Sequence, residues 1–137
     1  MKSKDRFVFD TNVLVSATLL GDSKPAIAFQ RARQVGEILS SVPVAEELNE
    51  VLGRQKFDRY IRREDRERFL VAFLRGAIVI EITESIVACR DPKDDKFLEL
   101  AVSGGAACIV TADEDLLVLH PFRGIPVLSV EQFLSSF

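Results

Sequence analysis

Apolar and polar positions along this chain switch repeatedly between a period near two and a period near 3.6, and each switch marks a predicted element. Residues 6–9, RFVF, are β-rich and read as a buried strand. Residues 12–20, NVLVSATLL, follow as a helix, ended by the loop signal Gly21-Asp22-Ser23. A second helix is predicted in KPAIAFQRAR (24–33), with Gly36 as its stop, and GEILSS (36–41) is a short strand. Pro43, tolerated in a first turn, opens a helix in PVAEELNEVL (43–52) that Gly53 closes. Residues 54–76 are helical with a break near Asp58, and AIVIEI (77–82) is the clearest β run. DPKDDKFLELAVSGG (91–105) starts a helix at Asp91-Pro92 and stops at Gly104-Gly105, before the strand ACIVT (107–111). The last predicted strand is GIPVLS (124–129), at a sheet edge because Pro126 cannot donate to a ladder.

Strands alternating with helices, joined by connections too long for hairpins, imply a parallel sheet covered on both faces. The expected fold is a three-layer α/β/α domain with about five parallel strands, formed as one unit by residues 1–137. A composition 47% hydrophobic supplies a sizeable single core. No apolar stretch approaches the ~18 residues that span a bilayer, and the start MKSKDR lacks the apolar run of a signal peptide, so a soluble, cytoplasmic protein is expected. Cys89 and Cys108 have neither a disulfide framework nor metal-ligand spacing and read as reduced core residues.

Charge changes the picture once it is divided along the chain. The net charge is -3, yet residues 54–75 hold eight basic residues against four acids, +4, leaving -7 elsewhere. A basic helical region beside an acidic pole could hold a phosphate backbone, through Arg54, Lys56, Arg59, Arg62 and Arg63; a solvated helix face is the plainer alternative.

Ligands of open α/β sheets bind beyond the carboxyl ends of the strands. Asp10 ends the first strand and Asp113 follows ACIVT, so both belong on that rim. Rotation by ~100° per residue sorts the helix acids. Glu47 falls on the flank of the stripe Val44, Leu48, Val51 and Leu52, whereas Glu46 and Glu50 face solvent. Asp94 falls near the centre of the stripe Phe97, Leu98, Ala101 and Val102, with Asp95 at the margin and Glu99 facing away.

Each aspartate also has a purely structural alternative: Asp10, Asp91 and Asp113 as helix caps, Asp94 as a first-turn acid. Glu47 sits mid-helix, where it caps nothing, and few inward cations are in view to pair with four inward acids. A divalent cation resolves that conflict. Three or four carboxylates without His or Cys suit Mg²⁺ or Mn²⁺ better than Zn²⁺, and one or two such ions suit phosphodiester hydrolysis; the lone His120 reads as an exposed bystander.

Four blocks in order, FDTNVLVSA, EELNEVLGRQKF, RDPKDDKFLELAVSGGA and IVTADEDLL, resemble the PIN-domain family, nearly end to end. That resemblance implies a PIN-like fold and a Mg²⁺- or Mn²⁺-dependent endoribonuclease acting on single-stranded RNA, leaving a 5′-phosphate and a 3′-hydroxyl. It further implies the toxin of a toxin-antitoxin pair, forming a homodimer and bound by a cognate antitoxin. By position it assigns metal binding and catalysis to Asp10, Glu47, Asp94 and Asp113. It assigns Thr11, Asn12 and Thr111 to polar places around the site, with Asp91 and Asp115 as outer contacts.

Three other readings compete. A PIN-like module could bind RNA or protein without cutting, although degenerate versions usually lose some of the four acids. A phosphatase of the haloacid dehalogenase type needs a second aspartate two residues after the first, where this chain has Asn12. A receiver domain would also use strand-end acids, but leaves Glu47 and the acids at 91–95 poorly placed.

Overall fold

The computed structural model describes residues 4–137. The order is β1 (Asp5–Phe9), α1 (Thr11–Leu19), α2 (Lys24–Val35), β2 (Gly36–Ser40), α3 (Val42–Leu52), α4 (Arg63–Gly76) and β3 (Ile78–Val79). It continues with α5 (Asp95–Gly104), β4 (Cys108–Val110), α6 (Glu114–Leu117), β5 (Val127–Leu128) and α7 (Val130–Ser136). Single 3₁₀ turns at Gln55–Phe57 and Pro92–Asp94 precede α4 and α5.

All five strands pair in parallel, in the order β3-β2-β1-β4-β5. The chain therefore builds outward from β1 on one side through β2 and β3, then returns to β1's other edge with β4 and continues to β5. The reversal between β1 and β4 leaves a crevice at their carboxyl ends.

Alternation along each strand divides the interior into two cores. Phe7, Phe9, Ile38, Cys108 and Val110 face one way, toward Leu14, Phe29, Leu48, Phe73 and Phe133. Val8, Leu39, Ile109 and Val127 face the other, toward Val44, Leu98, Ala101 and Leu116. Helices thus cover both faces, and the three-layer architecture is the expected one. Among the described residues no helix is long and apolar enough to cross a membrane.

Two glycines are fixed by geometry. A Cβ on Gly36 would lie 2.2 Å from the Asp5 carbonyl oxygen, so β2 can approach β1 only without one. Gly105 ends α5 in the left-handed region at φ 64°, the stop expected of Gly104-Gly105.

The structure corrects several local readings. The run at 77–82 narrows to a two-residue strand, Ile78–Val79, although Ile80 N–H still bonds the Ser40 carbonyl at 2.8 Å. A C-terminal helix, α7, is added. Ser129 and Gln132 cap it reciprocally, and it buries Phe133 edge-on against Phe7 at 5.3 Å between ring centroids. The helix predicted from Asp91-Pro92 begins at Asp95 instead, because residues 92–94 form the tighter 3₁₀ turn.

Candidate active site

The crevice between β1 and β4 is where the chain concentrates its chemistry. Asp10 leaves β1 with its N–H bonded to the Val110 carbonyl at 2.9 Å, which holds it against β4. It is only 4% exposed. One carboxylate oxygen accepts from the Asn12 N–H at 3.4 Å, capping α1, and the other accepts from the Thr111 hydroxyl at 2.7 Å. The same hydroxyl accepts from the Asp113 N–H at 3.0 Å, and the Asp113 carboxylate accepts from the Asp115 N–H at 2.9 Å, capping α6. Backbone and side chains of residues 111–115 therefore fix Asp10 through Thr111.

Glu47 enters from the middle of α3 and Asp94 from the turn at the start of α5. Asp10, Asn12, Glu47 and Asp94 line one cleft of about 270 Å³, together with Glu50, Val51, Arg54 and Lys93.

Two of these carboxylates, Asp10 and Asp94, hold their protons more tightly than an ordinary carboxylate. Burial raises the Asp10 pKa above the ordinary carboxylate value; the bonds from Thr111 and Asn12 work against that, and the charges on Asp113 and Glu47 add to it. Asp94 is pushed up to about 6, first by burial, then by Asp10, Asp113 and Asp91, with only Lys93 opposing.

These features are carried by a recognisable sequence family. The model of the family described as PIN domain matches residues 6–115, from β1 into α6. The chain belongs to the PIN-domain family. An uncharacterized protein of Methanocaldococcus jannaschii is 28% identical to it over 121 residues, covering 87% of this chain and 77% of that protein.

Solved structures share the PIN fold at lower identity. VapBC2 from Rickettsia felis, bound to a DNA fragment from its promoter, gives a TM-score of 0.62 at 14% identity, covering 90% of this chain and 98% of that one. PAE2754 from Pyrobaculum aerophilum gives 0.64 at 19% identity, covering 96% and 88%. DNA-bound VapBC from Salmonella typhimurium gives 0.60 at 16%, covering 92% and 98%.

Within this PIN domain the aspartates expected as caps do cap: Asp10, Asp113, and Asp91, which accepts from the Lys93 N–H at 3.1 Å. Capping and facing the cleft are compatible for Asp10, whose second oxygen is held by Thr111. Asp91 is exposed and Asp115 is half-buried. Thr11 is 2% exposed with its hydroxyl unpartnered, and it is not among the residues lining the cleft.

The few inward cations include Lys96, from the first turn of α5, which forms an ion pair with Glu47. Two expectations about the acids of α5 are corrected. Asp95, expected at the margin, is 6% exposed and accepts from the Ala88 and Cys89 N–H groups at 3.1 and 2.7 Å. Glu99, expected to face away, accepts from the Ile86 N–H at 2.9 Å. Both acids pin residues 86–89 to α5.

The other sequence-level candidates divide the same way. His120 is exposed but not idle, since its Nδ1 accepts from the Val127 N–H at 2.9 Å and supports β5. Burial pushes the thiols of Cys89 and Cys108 up to about 12, which suits structural rather than reactive cysteines. In the basic segment, Arg54 is paired with Glu50 at 3.0 Å and Arg62 with Asp65 at 3.1 Å. Arg63 lies 3.8 Å from Asp58, while Lys56 and Arg59 are exposed.

The donor chemistry of the cleft, carboxylates with Asn12 and no His or Cys, fits a hard divalent cation in kind and in charge. Its spacing is not that of a closed ligand set: among the described residues no three or more His, Cys, Asp or Glu are gathered to hold a metal ion. Lys93, Glu50 and Lys96 were not foreseen as part of this neighbourhood. Lys93 and Lys96 flank Asp94 in the sequence, so a search for cations next to the inward acids would have found them.

Proposed function

We propose that this PIN domain is a metal-dependent endoribonuclease acting on single-stranded RNA, the toxin of a toxin-antitoxin pair. The observation that supports it is the convergence of Asp10, Glu47 and Asp94 from three elements onto one cleft, with Asp113 tied to Asp10 through Thr111.

In this reading Asp10, Glu47, Asp94 and Asp113 hold one or two Mg²⁺ or Mn²⁺ ions. When bound, such an ion supplies Lewis acidity and neutralises phosphate charge. Thr111 keeps the Asp10 carboxylate aimed into the cleft, and its hydrogen bond favours the ionised form that binds a cation. Thr11, Asn12, Asp91 and Asp115 support the same neighbourhood. Arg54 and Lys93, on the cleft wall, attract the RNA backbone; Lys56, Arg59, Arg62 and Arg63 extend that attraction outward.

The fold shared with VapBC structures supports an antitoxin partner, and a homodimer is part of the same reading. The test is cleavage of single-stranded RNA by purified protein with Mn²⁺, abolished by chelation and by Glu47→Gln. Cleavage that persists in both cases would refute the assignment.

One observation favours a second reading, a PIN module that binds without cutting: Lys96 already neutralises Glu47, and among the described residues no closed ligand set is formed. Calorimetry with Mn²⁺ separates the two, because a module without a metal site gives no saturable heat.

A further inference from the structure

Among the ion pairs of the described residues, Lys96–Glu47 stands apart. Its side chains are 17% and 19% exposed, whereas every other pair has at least one side chain more than a third exposed. The pair bridges α3 and α5, and its Glu47 lines the cleft with Asp10 and Asp94, neither of which has an ion-pair partner among the described residues.

A partly desolvated carboxylate facing other carboxylates needs a positive charge, and a lysine can deliver one on a flexible four-carbon stem. That stem lies near the Phe97 ring, with Nζ 5.9 Å from the centroid. An ammonium and a divalent cation cannot share the same carboxylate oxygens without strong like-charge repulsion. A cation that takes the Glu47 Oε2 held by Lys96 must displace the ammonium.

We propose that Lys96 is the internal counter-ion of Glu47 in the metal-free protein, and that a divalent cation binds by displacing it. Lys96 is then a positioning residue: it holds Glu47 against α5 while the cleft is empty and sets the cation concentration at which the cleft fills. The inference rests on the metal-site reading above and adds that this chain carries its own competitor for the site. The apparent affinity of a site whose competent form is only partly populated falls by that fraction. A lysine engaged about nine-tenths of the time costs roughly tenfold in affinity.

The test is Mn²⁺ titration of wild type and Lys96→Met by calorimetry, with melting temperatures measured in chelator and at saturating Mn²⁺. The variant is expected to bind Mn²⁺ about tenfold more tightly. It is also expected to melt lower than wild type in chelator, with the gap closing as Mn²⁺ saturates. A lysine that merely packed would lower both melting temperatures alike and leave affinity unchanged, and that result overturns the inference while sparing the metal site. No saturable heat from either protein overturns both.

A measurement on the native protein covers a variant that does not fold. Acetylation of Lys96 by acetic anhydride, read by mass spectrometry, is expected to rise severalfold when Mn²⁺ is added. Labelling that stays constant up to saturating Mn²⁺ overturns the displacement.

Discussion

The Thr111 hydroxyl donates to the Asp10 carboxylate at 2.7 Å, joining residues 101 apart in sequence across the ends of β4 and β1. Both residues are almost fully buried, at 0% and 4% exposure, so water competes poorly for this bond. The bond both orients the acid and offsets part of its burial.

Thr111→Val keeps the shape of the side chain and removes the donor. Loss of a buried partner costs about 1–3 kcal/mol in stability, and supporting contacts of this kind change metal affinity or activity about 10- to 100-fold. Denaturant unfolding and Mn²⁺ calorimetry should both register the change, and Thr111→Ser should restore most of it.

Asp94 gives a pH signature. Its folded pKa of about 6 lies above the ordinary aspartate value of 3.8, so between these values the folded protein binds more protons than the unfolded chain. Metal-free stability contributed by this group therefore falls as pH rises from about 4 to about 6, and is level above. Asp94→Asn removes the repulsion. Its melting temperature relative to wild type, in chelator, should climb across that window and then stay constant. Saturating metal should abolish or reverse the advantage.

Arg66 lies in the basic segment but is 2% exposed. Its guanidinium donates to the Leu52 and Arg54 carbonyls at 2.8 and 3.1 Å and pairs with Asp58, closing the end of α3 and fixing the loop that carries Arg54. Asp58 is about half exposed, so the two carbonyl bonds dominate. Arg66→Met should lower stability by about 3 kcal/mol in urea unfolding.

Lys56 and Arg59 are exposed, while Arg54 and Arg62 are engaged with acids. Replacing Lys56 or Arg59 by Gln should weaken single-stranded RNA binding across sequences. Each should reduce the slope of log affinity against log salt by about 0.7. Fluorescence anisotropy over a salt series measures it.

Much of the architecture was legible because parallel strands buried on both faces read as apolar runs, and Gly53 and Gly105 ended helices where expected. The flank position of Glu47 followed from helical rotation alone, since α3 is regular throughout. The same rotation misplaced Asp95 and Glu99, because it ranks positions within one helix and could not know that residues 86–89 pack against that side of α5 and bond both acids.

Helix α7 was missed despite a legible signal, the Ser129-x-x-Gln132 capping pair. The Lys96–Glu47 pair joins residues 49 apart. Local periodicity orients each side chain on its own helix and carries no information about that meeting.

The most direct test of the central claim is single-stranded RNA cleavage by wild type and Asp10→Asn at saturating Mn²⁺, both checked as folded by circular dichroism. The account predicts cleavage by wild type that stops on chelation, and a loss of at least about 100-fold in the variant. An Asp10→Asn protein that cuts as fast as wild type, in metal-replete buffer, would contradict it.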